Sequence, residues 1–256
     1  MSPIYQLANV RVPAGKKDIL QVDELSLYPG ELVTIAGPNG AGKSTLLSVL
    51  SGFRKQFAGS CRYLGQDVRA WPRRDFSRNV TVVTQSHPAP FPFRVEEVVL
   101  MGRTPHASGW FESPDDLAAV EDALDRTGSM SLRGRDFRTL SGGEQQRVIL
   151  AAALAQHTPV LLLDEPSSFL DLHHQIHLYK LLSELRDSGV LVVMITHDLN
   201  LAAAHADRLL LLREGAIVAD DSPQRVMTAE TIRSVFDVEA QLHRSVSGGV
   251  WMRYGL

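Results

Sequence analysis

The chain has 256 residues, of which 44% are hydrophobic and 21% charged, a composition typical of a folded domain and unlike that of a disordered chain. Lys and Arg number 26 and Asp and Glu 29, so the net charge of −3 argues against non-specific binding to nucleic acid, which needs a basic surface. The single cysteine, Cys61, excludes a disulfide framework and a cysteine-rich zinc site. The N-terminus lacks a signal-peptide pattern and no apolar run approaches the roughly 18 residues of a membrane span, so we expect a soluble, cytoplasmic protein.

Short β-rich runs alternate with helical stretches, which predicts an α/β fold with a parallel sheet covered by helices. Buried strands are predicted at residues 31–36, 80–84, 160–163 and 190–195, and helices at residues 43–50, 95–101 and 114–127. Between Gln85 and Leu140 the chain is richer in Pro, Gly and charge, and we expect a helical insert without strands. Beyond Asp220, a helical piece at residues 223–236 and a short strand at residues 249–254 are expected to form a tail.

A glycine-rich segment, GPNGAGKST, separates the first buried strand from the helix at residues 43–50. It fits G-x-x-x-x-G-K-S/T, the P-loop, in the strand-to-helix context that this motif requires. Its glycines let backbone N–H groups face phosphate oxygens, and the helix directs the positive end of its dipole at them. Lys43 would reach the β- and γ-phosphates, and the Ser44 hydroxyl would bind Mg²⁺. The predicted phosphate site comprises Gly37, Pro38, Asn39, Gly40, Ala41, Gly42, Lys43, Ser44 and Thr45.

Two carboxylates, Asp164 and Glu165, follow the apolar run at residues 160–163. Ligands of such sheets gather at the carboxyl ends of the strands. Asp164 is suited to hold Mg²⁺ through water, and Glu165 to polarise an attacking water. An acidic pair at a strand end is often only solvated, but a P-loop in the same chain favours the catalytic interpretation.

The segment from Leu140 to Arg147, LSGGEQQR, resembles the signature motif of ATP-binding cassette ATPases. Other motifs of that family occur in the same order. Gln85 resembles the Q-loop glutamine, residues 167–171 (SSFLD) resemble the D-loop, and His197 resembles the switch histidine. The D-loop carries Phe169 where the family more often has a small residue. The resemblance covers essentially residues 1–220.

This resemblance implies a P-loop NTPase with a mixed sheet core, an N-terminal antiparallel β subdomain and a helical signature subdomain. Residues 1–85 and 156–220 would form the core, residues 86–155 the helical subdomain, and residues 221–256 a short tail. ATP and Mg²⁺ are the implied cofactors. The implied catalytic residues are Glu165, His197, Lys43 and Gln85, and the implied metal site comprises Ser44, Gln85 and Asp164.

Gly142 and Gly143 open a helix after Ser141, so their N–H groups form a second anion site. One chain does not easily need two γ-phosphate sites. In the family, the signature of one subunit closes over ATP held by the P-loop of the other, which is an isologous arrangement. The resemblance therefore implies a homodimer in which ATP also contacts Ser141, Gly142, Gly143, Glu144 and Asp171.

The adenine contact departs from the family pattern, which usually places an aromatic residue near Ala14. Residues 10–15 contain no aromatic residue, and Tyr5 and Tyr28 are displaced from this position. We therefore expect either weak stacking or a contact from an aliphatic or arginine side chain such as Val12 or Arg11.

Three classes of protein share these motifs: transporter ATPases, chromosome or repair ATPases, and non-transport cassettes acting on ribosomes or iron–sulfur assembly. Repair ATPases insert long coiled coils between Q-loop and signature, and ribosomal cassettes usually come as pairs in one chain; neither feature is present. Within transport, residues 90–105 (PFPFRVEEVVLMGRTP) and 196–204 (THDLNLAAA) most resemble ATPases that import ferric siderophores, haem or cobalamin. The sequence does not distinguish among these three chelates as the transported substrate. The alternative to a chelate importer is the ATPase of an exporter, of a lipoprotein- or division-type complex, or a non-transport cassette.

The segment from Phe91 to Arg103 is the expected docking site for integral membrane permease subunits. The alternative is that its apolar residues pack a helical insert, but apolar residues beside a catalytic switch often mark a docking surface. We expect them to serve docking more than folding. A periplasmic or extracellular substrate-binding protein would act indirectly, nucleic acid would not be a partner, and the chain would lie peripherally at the cytoplasmic face of the cell membrane.

Overall fold

The computed structural model describes residues 2–15, 17–84, 92–107, 109, 111–245 and 249–254. The chain forms two compact units. The first unit comprises Met1–Trp71 and Ser183–Leu256, and the second comprises Pro72–Leu182. The subdomain boundaries expected from the sequence stay a prediction.

The strands are numbered in chain order: β1 (Tyr5–Ala14), β2 (Lys17–Leu27), β3 (Leu32–Ala36), β4 (Ala58–Tyr63), β5 (Gln66–Asp67), β6 (Val80–Val83), β7 (Val160–Asp164), β8 (Leu191–Ile195), β9 (Arg208–Arg213), β10 (Ala216–Asp221), β11 (Ala240–Arg244) and β12 (Val250–Tyr254). The helices are α1 (Lys43–Leu50), α2 (Arg73–Ser77), α3 (Val95–Met101), α4 (Pro114–Arg126), α5 (Gly142–Ala155), α6 (Leu172–Asp187), α7 (Leu199–His205), α8 (Pro223–Val226) and α9 (Ala229–Phe236). Short 3-10 turns occupy Val68–Ala70, Thr104–His106, Met130–Leu132 and Phe137–Thr139.

The strands and helices predicted from apolar patterning are present, with ends that differ by at most one residue. The tail is an exception, because the single helical piece expected at residues 223–236 is divided into α8 and α9. Thr228 has an extended backbone (φ −122°, ψ 155°), and its hydroxyl accepts a hydrogen bond from the backbone N–H of Thr231. Because Thr228 is an N-cap, α9 begins there as a separate helix and is not a continuation of α8.

The sheet of the first unit runs in the order β5-β4-β1-β2-β10-β9-β3-β8. β1 pairs antiparallel with β2 and β4, whereas β3 pairs in parallel with β8 and β9. β3 and β8 are buried along their whole length, which explains why β8 is a continuous apolar run and β3 is apolar except for Thr34. Because Ile35 and Ile195 are register partners in parallel neighbours, the loops that follow β3 and β8 emerge at the same edge.

The C-terminal elements of the first unit form an apolar cluster with α7. Leu199 and Ala202 from α7 pack there with Ile232 from α9 and with Val250 and Met252 from β12. β11 and β12 form a separate antiparallel pair. The tail is therefore part of the core that supports the loop after β8.

In the second unit, β6 and β7 pair in parallel, and α3 packs against α4 and α5. Val95, Val98 and Val99 of α3 are buried. The expectation that the apolar residues of this segment serve docking more than folding is wrong for these three valines, because they fill the core of the helical unit. No helix within the described ranges is long and apolar enough to cross a bilayer.

Candidate nucleotide site

The P-loop follows β3 and runs close against neighbouring strands. A Cβ atom on Gly37 would lie 2.1 Å from the carbonyl oxygen of Leu212 in β9. At Gly42, where φ is +97°, a Cβ would lie 2.7 Å from the carbonyl oxygen of Ile19 in β2. Any side chain would collide with backbone at either position, so the path of the loop requires glycine at both.

Helix α1 begins at Lys43, and its N-cap residue is Gly42. Glycine has no side chain with which to cap the first-turn N–H groups, and this turn contains no acidic residue. The donors and the positive end of the helix dipole therefore face the loop without a competing side-chain anion. This is the arrangement that favours phosphate.

Lys43 is only 7% exposed. Its Nζ donates hydrogen bonds to the carbonyl oxygens of Gly37, at 2.7 Å, and Pro38, at 2.9 Å. A buried ammonium without such partners would be costly, and these bonds hold it inside the loop. A phosphate oxygen is anionic, so its hydrogen bond with the Lys43 ammonium would be stronger than that of a neutral carbonyl oxygen, and the loop is suited to hold phosphate.

His197 follows β8 and lines the same cavity as the start of the P-loop. The cavity has a volume of about 490 Å³, and its polar side is formed by residues 37–39 and His197. Its other side is apolar and comes from Leu199, Ile232, Phe236, Val238 and Met252. The structure thus brings the predicted switch histidine to the predicted phosphate loop.

The segment after His197 is fixed by hydrogen bonds that sequence reasoning missed. Asp198 caps α7, with its Oδ1 accepting from the backbone N–H groups of Asn200 and Leu201 at 2.9 Å each. The Asn200 side chain binds both backbone groups of Met252: Nδ2 donates to the carbonyl oxygen at 3.0 Å, and Oδ1 accepts from the N–H at 2.7 Å. The loop that carries His197 is therefore tied to β12.

In the second unit, the signature motif forms a capping box at the start of α5. The Ser141 hydroxyl accepts from the backbone N–H of Glu144 at 3.4 Å. Oε2 of Glu144 in turn accepts from the Ser141 N–H at 2.8 Å and from its hydroxyl at 2.9 Å. The hydrogen bond from the Ser141 N–H is the main reason why the pKa of Glu144 is lowered, so this carboxylate is held ionised at the helix N-terminus.

The D-loop packs directly on the signature helix. A Cβ on Gly143 would lie 2.9 Å from the carbonyl oxygen of Phe169, so a larger residue would push the D-loop away. Signature residues 141–144 and D-loop residues 169–171 line a second cavity, of about 570 Å³. Asp171 accepts a hydrogen bond from the backbone N–H of His174 at 2.9 Å, which lowers the pKa of Asp171. The predicted contacts from the signature and the D-loop are thus brought together.

Asp164 ends β7, and Glu165 occupies the turn that follows. The φ of Glu165 is +52°, a left-handed conformation that costs energy for a residue with a side chain. The backbone N–H of Ser168 donates to the Glu165 carbonyl oxygen at 3.1 Å, and the Ser168 hydroxyl donates to Oε2 at 3.3 Å. The D-loop therefore orients this carboxylate. Gln85 lies outside the described residues.

The residues suggested for the adenine contact differ in availability. Val12 is fully buried, because the alternation of β1 directs its side chain into the core, and so it cannot offer a face to the base. Arg11 is half-buried, forms an ion pair with Asp23 and donates from Nη1 to the Val10 carbonyl oxygen. A contact from Arg11 stays a prediction.

Comparison with known proteins gives an independent line of evidence. Residues 20–168 match the family described as ABC transporter. The hemin import ATP-binding protein HmuV of Pseudomonas entomophila (strain L48) is 44% identical over 241 residues, covering 92% of this chain and 93% of the relative. The cobalamin import ATP-binding protein BtuD of Halobacterium salinarum is 44% identical over 220 residues, covering 86% of this chain and 55% of the relative.

Solved structures agree with the sequence relatives. A structure described as an inward-facing conformation of a metal-chelate type ABC transporter has a TM-score of 0.84 and 27% identity, and the match covers 100% of this chain and 98% of that chain. The dimeric structure of the bacterial ABC transporter cassette MJ0796 has a TM-score of 0.76 and 26% identity, and covers 86% of this chain and 98% of that chain. Both matches support the mixed α/β fold found here.

Proposed function

This chain belongs to the ABC transporter family of ATP-hydrolysing subunits, and we propose that it powers a bacterial importer of a metal chelate: a ferric siderophore, haem or cobalamin. The cavity shared by the P-loop and His197 is the observation that carries ATP hydrolysis. The identity of 44% both to a hemin import protein and to a cobalamin import protein supports the chelate class and leaves the individual chelate open.

In the proposed reaction, the N–H groups of α1 and the ammonium of Lys43 hold the β- and γ-phosphates. Glu165 accepts a proton from the attacking water, and His197 contacts a γ-phosphate oxygen and holds that water in place. Ser44, Gln85 and Asp164 would hold Mg²⁺, for which hydroxyl, amide and carboxylate oxygens are suitable ligands. When bound, Mg²⁺ neutralises charge that develops on the phosphates.

We further propose that two copies of the chain bury two ATP molecules, with each signature helix facing the other copy's P-loop. The anion site predicted at the N–H groups of Gly142 and Gly143 supports this arrangement, because one nucleotide does not require a second such site. The existence of solved dimeric cassettes of the same fold also supports it.

The dimer predicts that blocking hydrolysis traps association. Glu165→Gln protein is expected to be a monomer without nucleotide and a dimer in saturating MgATP, because ATP that is not cleaved continues to bridge the two copies. Light scattering at micromolar protein concentration measures this change. The matched control is Glu165→Gln combined with Lys43→Ala, which should stay monomeric. A Glu165→Gln protein that stays monomeric with MgATP, with or without permease, contradicts the two-fold arrangement.

Permease subunits are proposed to dock on the segment from Phe91 to Arg103, which places the chain at the cytoplasmic face of the cell membrane, with a substrate-binding protein acting on the other side. Within the described part, Met101 exposes 45% of its surface. The Arg103 side chain instead binds groups within the helical part of the second unit: it forms an ion pair of 2.8 Å with Asp116 and donates a hydrogen bond of 2.9 Å to the Ala155 carbonyl oxygen. The docking contacts are therefore expected from the exposed residues of the segment.

Met101→Asp is expected to abolish co-purification with the permease, because it places an unpaired charge in a desolvated contact at a cost of several kcal/mol. Uptake of the transported chelate, whether haem, ferric siderophore or cobalamin, should fail. The isolated subunit should still bind ATP. Leu117→Asp is the matched control, since Leu117 of α4 is 52% exposed and lies outside the proposed segment. Normal assembly and uptake by the Met101→Asp protein would exclude this docking site.

A further inference from the structure

Phe169 is an aromatic side chain exposed on the surface that carries the signature motif. It is 73% exposed, and its φ of +70° is unfavourable for a residue with a side chain. Its backbone is nevertheless fixed: its carbonyl oxygen closely approaches Gly143, and the N–H of Leu170 donates to the Ser167 carbonyl oxygen at 3.2 Å. The loop thus holds a large apolar ring in water, in a strained conformation, beside Ser141 and Gly142.

The cavity beside the P-loop has an apolar half that the phosphates cannot use. Ile232 and Met252 are almost fully buried and form a fixed wall, Phe236 adds an aromatic surface, and Val238 is 38% exposed. The whole cavity, with its polar half included, has a volume of about 490 Å³, which is within the usual range of ligand-binding cavities. Triphosphate oxygens belong to the other half, where residues 37–39 and His197 lie.

The two features meet in the proposed dimer, on which this inference rests. Phe169 shares a cavity with the signature residues, and the apolar wall shares a cavity with the P-loop. A symmetry operation that places the signature of one copy over the P-loop of the other therefore brings Phe169 towards that wall. An isologous arrangement repeats the contact twice.

We propose that each Phe169 inserts its ring into the cavity of the second copy, against Ile232, Phe236 and Met252. We call this contact the aromatic anchor. A buried aromatic ring in an apolar pocket gains from the removal of its surface from water, and it packs well against a second aromatic ring and a thioether. The anchor adds the C-terminal elements α9 and β12 to the dimer interface, and it explains why the D-loop retains an exposed aromatic residue.

Disulfide trapping tests the contact directly. Two Glu165→Gln proteins with tags of different size are mixed, one carrying Phe169→Cys and the other Val238→Cys, and oxidised with copper phenanthroline. A disulfide between the two chains is expected with MgATP and not without nucleotide. Native Cys61 is fully buried and should not react. Phe111→Cys is the matched control for Phe169→Cys, since Phe111 is 89% exposed in the same unit and should form no bond with Val238→Cys.

Dimer affinity provides a second readout. In the Glu165→Gln background, Phe169→Ala is expected to raise the dimer Kd by at least about tenfold, as for a buried aromatic hot spot, while Phe169→Leu retains most of the affinity. Phe111→Ala should leave the Kd unchanged.

The outcomes separate this inference from the dimer itself. If light scattering shows an ATP-dependent dimer, but the mixed chains form no disulfide or Phe169→Ala dimerises like its parent, then the aromatic anchor is wrong and the dimer stands. If the Glu165→Gln protein with Phe169 intact does not dimerise with MgATP, both proposals fail.

Discussion

Replacing Glu165 by glutamine is expected to lower the rate of ATP hydrolysis by about 10²- to 10⁴-fold, the usual loss when a general base is removed. A carboxamide has nearly the same shape, and its oxygen can still accept the hydrogen bond from the Ser168 hydroxyl, but it cannot take a proton from water. Binding of MgATP should therefore be kept. Phosphate release measures turnover, and calorimetric titration with MgATP measures affinity.

Glu184→Gln is a suitable control for this experiment, because Glu184 is an exposed residue of α6. It should hydrolyse ATP at the parental rate. Parental turnover in the Glu165→Gln protein would remove Glu165 from the catalytic role, and loss of MgATP affinity would show that the carboxylate serves binding instead.

Lys43→Ala is expected to weaken ATP binding by about 10- to 100-fold, which corresponds to the loss of charged hydrogen bonds to the phosphates. AMP lacks the β- and γ-phosphates that Lys43 would contact, so its weak binding should change little. Calorimetric titration with ATP and AMP measures the difference between the two nucleotides.

Lys55→Ala controls for the general loss of a positive charge, since Lys55 is exposed in the same unit. Thermal melting checks that Lys43→Ala still folds, because Lys43 also holds the carbonyl oxygens of Gly37 and Pro38. A folded Lys43→Ala protein with parental ATP affinity would contradict the proposed phosphate contact.

The local parts of this molecule could be predicted from its sequence. The sequences of β3, β7 and β8 are almost entirely apolar because buried parallel strands are covered on both faces, and this composition made them predictable. The P-loop is recognisable because one short segment contains all its parts. The antiparallel pairing of β1 with β2 and β4 was accessible only through the family resemblance, and the structure contains it.

Contacts between distant residues could not be predicted in the same way. The bonds between Asn200 and Met252 join residues 52 positions apart, and no local pattern distinguishes this asparagine from one on a helix surface. The burial of Val95, Val98 and Val99 depends on which helices pack against α3, which the composition of the segment does not specify. Sequence patterns thus identified the candidate nucleotide-binding and catalytic residues, whereas tertiary packing decides which side chains remain exposed and available to a partner.

The hydroxyl of Ser141 has a single proton, and Glu144 already accepts it at 2.9 Å. A phosphate oxygen brought to this end of α5 can accept a hydrogen bond from the Ser141 hydroxyl only if that hydroxyl stops donating to the Glu144 carboxylate. Contact of the serine with phosphate therefore replaces one hydrogen-bond acceptor by another and adds no bond. The carboxylate would keep its hydrogen bond from the Ser141 N–H, at 2.8 Å, during this exchange. The signature serine is therefore expected to discriminate between positions of the phosphate more than to strengthen its binding.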